Sequence, residues 1–380
     1  MVPLKFFPEE TSSICTYFKI FGFFPHASSR ATQTFLYITS FLSILLGPII
    51  ILNLLLYIRE TEHESNIDIT AEYFMLVGYV VGQLITNCQA LLTKKVQRKI
   101  FKIFNGIDYL ILRLDNLRDY TSDRSWMIFK MAVISVISVA VPIVQLLMSK
   151  NLDVEKIISL LIFLPLLRLR CAQFIFYTDS VKIKLSALNE YISKINLKNS
   201  EAERTVVTSD YFNEKKSVDY FLGRMYVMKS IHSKIWKVAS TINDCFGLSL
   251  LFIISHCFAT LTVEAYWCYF SFFGNNPISK AIDSLSTAIP DIFILIFIAN
   301  SCSGCSDLCT TINSSIHKIE NNYEDFRFNA MINDFASQVF QLKVTYTANG
   351  FFTIDYSLLG SMVIAIIGYM VILVQFHQEI

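Results

Sequence analysis

Long apolar runs separated by polar segments dominate the pattern of this chain. A run of about twenty apolar residues is long enough for a helix to cross a bilayer. Seven such runs occur, at residues 31–58, 73–93, 131–149, 157–177, 245–262, 292–306 and 356–376. The fifth run is expected to continue past Glu264 to Phe273. The pattern therefore predicts an all-α membrane protein with seven transmembrane helices.

The fourth run is unusual because it contains two arginines, Arg168 and Arg170. Charged side chains are costly inside a bilayer, but long ones can extend to the interface. A tilted fourth helix would let both arginines reach the cytosolic surface. We favour this interpretation over a role in gating.

Composition agrees with a membrane protein and offers little catalytic chemistry. The 380 residues are 53% hydrophobic and 17% charged, whereas soluble domains are about a quarter charged. There is no phosphate-binding glycine loop and no HExxH or GxSxG motif. Cys302, Cys305 and Cys309 have only His317 nearby as a fourth zinc ligand, so we favour a small-residue helix face there, with lipidation as an alternative. No enzymatic activity, metal, cofactor or nucleic acid is expected.

Lysine and arginine are distributed unevenly between alternate connecting segments. The set that includes the N-terminal stretch and segments 94–130, 179–244 and 307–350 holds 26 of them, and the other set holds 4. Positive residues accumulate on the cytosolic side of membrane proteins. The N-terminus is therefore predicted to be cytosolic and the C-terminus extracellular, which is the reverse of a G-protein-coupled receptor.

Three segments on the predicted cytosolic side carry apolar residues at alternating spacings of three and four, which is typical of packed helices. They are Leu185, Leu188, Ile192 and Ile195; Val218, Phe221, Met225 and Met228; and Ile332, Phe335, Val339, Leu342 and Tyr346. We expect membrane helices to extend into the cytosol and form a bundle. The spacing leaves packing within one subunit and packing between subunits equally open. The polar stretch 196–216 is predicted to be a disordered loop.

The last apolar run has one face of small and polar residues. Ser361, Gly368 and Gln375 are seven residues apart and therefore share a helix face. Such a face either packs closely on another helix or lines water. Because one stripe cannot enclose a channel, a pore would require several subunits. Phe376 beside Gln375 would then form a hydrophobic constriction.

The same residues resemble a known signature. The run from Gly368 and Tyr369 through MVILV to Gln375 and Phe376 is similar to the Thr-Tyr, five hydrophobic residues, Gln-Phe signature of insect gustatory receptors. The preceding ANGFFTIDYSLL, residues 348–359, also resembles that family. Gly368 replaces the usual threonine. Met370 stands where sugar-sensing members commonly carry glutamate, so a bitter-type or divergent ligand is favoured over a sugar.

The resemblance implies a ligand-gated, non-selective cation channel that depolarises a taste neuron on binding a small-molecule tastant. It implies a homotetramer, or a heteromer with related receptors, in the plasma membrane of sensory dendrites and in contact with membrane lipid. Gln375 and Phe376 would form the gate, and Ser361, Gly368, Tyr369 and Ile372 would belong to the pore. The alternatives are an odorant receptor of the same superfamily and a G-protein-coupled receptor-like signalling protein.

A ligand pocket is expected between helices in the outer half of the membrane. The polar and aromatic candidates there are Tyr79, Gln83, Gln145, Glu264, Trp267 and Asp291, with Tyr73 and Tyr266 close to them. Each of these residues taken singly is also explained by ordinary packing or interfacial anchoring. As a group they mark the place where a ligand would bind.

These predictions divide the chain into six parts. They are a cytosolic N-terminus at 1–30; transmembrane helices 1–4 at 31–178 with a cytosolic loop at 94–130; a cytosolic helical segment at 179–244; transmembrane helices 5 and 6 at 245–306; a cytosolic segment and the first part of helix 7 at 307–350; and the pore-lining helix 7 with a short extracellular tail at 351–380. The resemblance implies that the cytosolic parts of helices 4 to 7 form an anchor.

Overall fold

A computed structural model describes residues 67–114, 121–148, 157, 159–205, 211–273, 278–319 and 326–378. In the first predicted span it describes only ten scattered positions between Thr34 and Leu56, all helical. The rest of that span lies outside the described residues, as do the N-terminal 33 residues.

Helices account for the regular structure of the described residues. They are α1 (Ile67–Leu92), α2 (Lys94–Leu114), α3 (Thr121–Met148), α4 (Leu164–Thr205), α5 (Tyr211–Phe273), α6 (Ile278–His317), α7 (Phe326–Gln341) and α8 (Tyr356–Gln378). A π-helical turn, Ser159–Phe163, leads into α4. One isolated bridge, Thr347 to Thr353, is the sole β pairing in these ranges. The predicted all-α class is confirmed.

Six of these helices are long and apolar enough to cross a membrane. Their apolar stretches are Phe74–Leu92, Ser125–Leu147, Leu161–Ile195, Asp219–Phe273, Lys280–His317 and Tyr356–Gln375. These stretches match the second to seventh predicted spans. α5 has 63 residues and is therefore about 95 Å long, roughly three times the hydrocarbon thickness. α4 and α6, with 42 and 40 residues, are also longer than a single crossing requires.

Most of the described residues in the predicted apolar stripes are buried within one chain. Leu185 and Ile192 of α4, Met228 of α5 and Phe335 and Val339 of α7 are almost completely inaccessible. α7 packs on α5 and α6. The stripes therefore form the core of a single subunit. This settles the alternative that the spacing left open, because burial in one chain explains the pattern without a second copy.

Two polar segments are more helical than predicted. Segment 94–130 contains α2, whose Ile100, Phe101, Phe104 and Ile107 are buried and which packs on α5. The predicted disordered loop at 196–216 is also largely helical, since α4 continues to Thr205 and α5 begins at Tyr211. Residues 206–210 lie outside the described ranges. Lys, Glu, Ala and Arg propagate helices well, so a polar surface did not indicate an irregular backbone.

A tight reversal connects α7 to α8. Asn349 and Gly350 have positive φ values of 52° and 81°, a conformation that glycine and asparagine adopt most readily. The amide of Asn243 on α5 fixes this turn, because its Oδ1 accepts from Thr347 N at 2.9 Å and its Nδ2 donates to Thr347 Oγ1 at 3.0 Å. The Asn349-Gly350 pair in the sequence 348–359 is thus explained by the positive φ values that this turn requires.

Asp355 begins the last helix. Its Oδ1 accepts from the backbone N–H of Leu358 at 3.0 Å, which is the bond expected of an N-cap. Donation from the Ser357 hydroxyl and from Leu358 N–H lowers the pKa of Asp355. The single charge at the start of this apolar helix is therefore a cap.

Candidate ligand pocket and pore helix

A pocket opens where α1, α4, α5 and α6 meet. It comprises about 390 Å³ of empty space, part of which is open to the surroundings. Its lining comprises Tyr79, Leu164, Leu167, Arg168, Cys171, Phe252, Ile253, His256, Cys257, Asp291 and Ile294. Most of this wall is apolar, and four polar side chains converge on it.

Two glycines allow α1 to approach α5 at the pocket. A Cβ atom at Gly78 would collide with the His256 ring, and one at Gly82 would lie 2.7 Å from Phe252. Small residues four apart are a common device for close packing of membrane helices. Gly78 and Gly82 thus leave room for two side chains that line the pocket.

Arg168 and Asp291 form a buried ion pair in the pocket wall. Arg168 Nη2 donates to Asp291 Oδ1 at 3.2 Å, and the two side chains are 3% and 8% exposed. Arg168 Nε and Nη1 are buried and have no hydrogen-bond partner among the described residues. Asp291 thus satisfies only part of the guanidinium group.

The expectation that Arg168 and Arg170 extend to the cytosolic surface was wrong for both residues. Arg170 is 1% exposed, lies with its guanidinium carbon 3.9 Å from the centre of the Phe246 ring, and donates to Gln173 Oε1 at 2.7 Å. A buried charge is tolerated where protein groups replace water. Arg168 finds such a group on α6, and Arg170 finds such groups on α4 and α5.

Aromatic rings form the side of the pocket next to the ion pair. Tyr79 stacks on His256 with ring centres 5.1 Å apart and planes 19° apart. Phe252 contacts the same imidazole edge-on at 6.0 Å. His256 Nδ1 shares a 2.9 Å hydrogen bond with Thr260 Oγ1, while Nε2 is buried without a partner in the described part of the chain. Nε2 lies against Gly78 of α1, so the imidazole takes part in this wall through its ring.

Of the six predicted ligand residues, Tyr79 and Asp291 line this pocket. The other four do not. Gln83 donates to Asn87 Oδ1 at 3.0 Å, Gln145 donates to Thr287 Oγ1 at 2.6 Å, Glu264 is buried, and Trp267 lies beneath the Lys280 ammonium.

Sequence reasoning missed Arg168 and His256 as pocket residues. A charge inside an apolar run was the available signal for Arg168.

The predicted pore helix α8 is largely uncovered in a single chain. Only 6% of its apolar stretch is buried, and among the α8 side chains that the structure describes, Met362 alone is buried. Ser361, Gly368, Tyr369, Ile372 and Gln375 are all exposed. Open space surrounds Gly368, while Tyr369 contacts Phe258 of α5 edge-on at 6.1 Å. Phe376 is helical, but its side chain is not among those that the structure describes.

α5 connects the neighbourhood of the pocket to the turn before α8. A Cβ atom at Gly247 would lie 3.0 Å from Asn349 N, so the backbone of α5 touches the reversal directly. Tyr346, at the start of that reversal, is buried edge-on against Phe174 at 5.6 Å, and burial raises the pKa of its phenol well above the usual value. A displacement of α5 would therefore reach the segment that begins α8.

The cysteine group on α6 is a packing face. Cys302, Cys305 and Cys309 are buried, and Cys305 Sγ donates to the Thr178 carbonyl of α4 at 3.5 Å. Within the described ranges, no three His, Cys, Asp or Glu side chains lie close enough to hold a metal ion. The favoured interpretation, a small-residue face, agrees with this close contact between α6 and α4.

Comparison with known proteins places this architecture in a family. The family described as 7tm chemosensory receptor matches residues 11–380. The chain belongs to this family. It is similar to Putative gustatory receptor 2a of Drosophila melanogaster, with 25% identity over 350 residues, 83% of this chain and 80% of that protein. It is also similar to Gustatory receptor 68a of the same species, with 29% identity over 145 residues, 37% of each chain. The resemblance to insect gustatory receptors is thus confirmed.

The fold of this receptor is also found in a solved structure. The insect olfactory receptor OR5 from Machilis hrabei superposes with a TM-score of 0.70, covering 97% of this chain and 98% of that one at 10% identity. A second structure contains the same protein in complex with eugenol, with the same TM-score. At this identity the likeness concerns the fold alone.

Proposed function

We propose that the receptor is a ligand-gated, non-selective cation channel that depolarises a taste neuron when a small-molecule tastant binds. The observation that carries the proposal is α8, an apolar helix whose small and polar stripe of Ser361, Gly368 and Gln375 is exposed in the single chain. The Ser361 hydroxyl is satisfied by the Ser357 carbonyl at 3.0 Å, but the exposed amide of Gln375 would be costly to place in lipid. Several copies around an axis would turn it toward water.

The assembly proposed is a homotetramer, or a heteromer with related receptors. A closed ring of identical subunits places the same face of every α8 around one axis. Gln375 and Phe376 would then encircle the outer end of the pore and act as its gate, with Ile372, Gly368 and Ser361 successively deeper. Tyr369, which contacts Phe258, would connect the pore helix to α5.

The proposed orientation has a cytosolic N-terminus and an extracellular C-terminus, as the 26-to-4 distribution of Lys and Arg favours. The long extensions of α4, α5 and α6, together with α7, would then form a cytosolic anchor. The receptor would reside in the plasma membrane of sensory dendrites.

The proposed tastant site is the pocket between α1, α4, α5 and α6. Two features support it: its largely apolar wall carries a few convergent polar side chains, as small-molecule sites do, and α5 reaches from this wall to the turn before α8. An olfactory receptor of the same fold has been solved with eugenol, which favours a small organic ligand here as well. Met370, in place of the glutamate of sugar-sensing members, favours a bitter-type or divergent ligand.

Whole-cell recording from a non-insect cell expressing only this chain tests the proposal. A tastant panel should evoke cation currents that persist when G-protein signalling is blocked with a non-hydrolysable GDP analogue. Currents that disappear under the block would favour a G-protein-coupled mechanism. Activation only by volatile odorants would favour the odorant receptor alternative, with which the receptor shares its fold.

A further inference from the structure

The pocket contains polar atoms that its own walls leave unsatisfied. Arg168 Nε and Nη1 and His256 Nε2 are buried and, among the described residues, have no hydrogen-bond partner. All three belong to side chains that line the pocket. Buried polar groups without partners are rare in folded proteins, and they commonly mark sites of bound water or ligand. His256 Nε2 lies against Gly78 of α1, so the two Arg168 nitrogens define what a bound molecule has to offer.

The charges of the pocket limit the ligand further. Asp291 compensates Arg168 at 3.2 Å, so the pair is neutral as a unit. A carboxylate bound to Arg168 would lie close to Asp291, and an ammonium group bound to Asp291 would lie close to Arg168. Either ion would be buried without a free counter-charge, which is strongly unfavourable. An uncharged acceptor oxygen meets neither penalty.

The rest of the wall selects the body of the ligand. Leu164, Leu167 and Ile294 are aliphatic, and Tyr79 and Phe252 present aromatic rings. Such a surface favours an apolar or aromatic skeleton, because burial of apolar area is the main source of affinity in small sites. The acceptor then fixes the orientation of the molecule.

We propose that the pocket selects small uncharged organic molecules that combine an apolar or aromatic body with an acceptor oxygen, and that Arg168, held by Asp291, donates to that oxygen and determines specificity. Asp291 accepts from Nη2, so either Nε–H or Nη1–H can donate to the ligand oxygen. His256 Nε2 lies against Gly78 of α1, so the imidazole contributes to the aromatic wall through its ring. This inference deepens the proposed function, on which it rests for the consequence of binding.

A matched set of four probes tests the chemical class on the purified full chain in lipid nanodiscs. Methyl benzoate, benzoate, benzylamine and ethylbenzene have similar size and differ in charge and acceptor. Binding is measured by calorimetry. Methyl benzoate should reach half-saturation at about one tenth of the ethylbenzene concentration, the effect of one hydrogen bond to a charged donor. Benzoate and benzylamine should bind more weakly than the ester. Equal binding of ester and hydrocarbon, tighter binding of either ion, or no binding of any probe would overturn the inference.

Two variants locate the effect in the pocket. The double variant Arg168→Leu/Asp291→Leu removes both charges together and should reduce the preference for ester over ethylbenzene from about tenfold to about onefold. A retained tenfold preference would show that Arg168 does not donate to the acceptor oxygen of the ligand. Gly78→Ala places a methyl group in collision with the His256 ring, which lines the pocket, and should weaken all binding. Gly106→Ala, with no atom within 4 Å of the added methyl group, should not. The ranking on the unmodified receptor stands independently of how these variants fold.

Recording from cells separates this inference from the channel proposal. Binding with the predicted ranking and no current would contradict the channel and support the pocket chemistry. Currents evoked by benzylamine or benzoate in preference to the ester would support the channel and contradict the proposed pocket chemistry.

Discussion

Arg170 Nη2 donates a 3.0 Å hydrogen bond to the backbone carbonyl of Cys245, which attaches a charged side chain of α4 to the backbone of α5. One turn further along α5, Ser249 N–H donates at 2.8 Å to Gln89 Oε1 of α1, and the Ser249 hydroxyl donates to the same oxygen. Cys245 C=O and Ser249 N–H are the acceptor and donor of a single helical turn. Two other helices thus hold that turn, immediately next to Gly247 and the reversal before α8.

Gln89→Ala should weaken this connection. The substitution removes the acceptor for two donors of Ser249, and the loss should cost about 1–3 kcal/mol. We expect the purified receptor to aggregate at a temperature several degrees lower, and we expect the ligand concentration for half-maximal current to change, since α5 links the pocket to α8. Gln341→Ala, at an exposed position on α7, is the control. Identical behaviour of the two variants would show that the Gln89–Ser249 hydrogen bonds affect neither the stability of the receptor nor its response to ligand.

Lys130→Met should prevent folding, and a second substitution should restore it. Lys130 Nζ is completely buried and donates to both carboxylate oxygens of Asp179, at 3.1 and 3.0 Å, and to Ser301 Oγ at 2.9 Å. Removal of one partner from a buried ion pair leaves an uncompensated charge, at a cost of about 3–5 kcal/mol. Replacing both partners by apolar residues is often tolerated. Surface expression should therefore be lost in Lys130→Met and recovered in Lys130→Met/Asp179→Leu; no recovery would mean that the cation itself is needed.

Phe335→Asp should abolish folding of the subunit itself. The spacing of the α7 stripe was equally consistent with an assembly surface, but Phe335 is 0% exposed within one chain. A buried carboxylate in that core has no partner, so detergent extracts should contain aggregated receptor in place of dissociated monomers. Phe340→Asp, on the same helix but 77% exposed, should remain folded by size-exclusion chromatography. Well-folded monomers of Phe335→Asp would restore the assembly interpretation.

The membrane-spanning helices could be predicted from the sequence because each one is encoded by a continuous apolar run. The apolar runs that became α1, α3, α4, α5, α6 and α8 are contiguous, and each is visible without knowledge of any other. α2 was missed because its charged residues were counted for orientation, although Ile100, Phe104 and Ile107 repeat at helical spacing. Its amphipathic character was present in the sequence and was overlooked.

The pocket was predicted only in part because it depends on contacts between distant segments. Arg168 and Asp291 are separated by 123 positions, and no local pattern shows that α4 and α6 bring them together. Without its partner in view, Arg168 looked like a residue that should reach the surface. Gly78 and Gly82 likewise gain their meaning only from His256 and Phe252 on another helix.

Epitope tags at the two termini test the orientation. The Lys and Arg distribution of 26 to 4 predicts that a tag after Ile380 is stained on intact cells and that a tag before Met1 is stained only after permeabilisation. Each tagged chain serves as the control for membrane integrity in the other experiment. The opposite staining would contradict both the orientation and the extracellular position of the proposed gate.

Substitutions in α8 test whether this helix lines the pore. Phe376→Ala should remove a hydrophobic constriction and produce leak current without ligand, because a narrow ring of apolar side chains excludes water and ions. Gln375→Ala should change conductance or ion preference while surface expression stays normal, since Gln375 is exposed and no fold contact depends on it in the described ranges. Both effects are measured by whole-cell recording with surface biotinylation.

The accessibility of the stripe provides the matched control for that experiment. Gly368 has open space around it, so Gly368→Cys should react with a water-soluble thiol reagent, and faster when ligand opens the channel. Met362 is 7% exposed and lies about 120° away around the helix, on the side that packs against the rest of the subunit. Met362→Cys should therefore react slowly in both states. Equal reaction rates at the two positions, or unchanged currents in both gate variants, would show that the small-residue stripe serves packing and that the pore lies elsewhere.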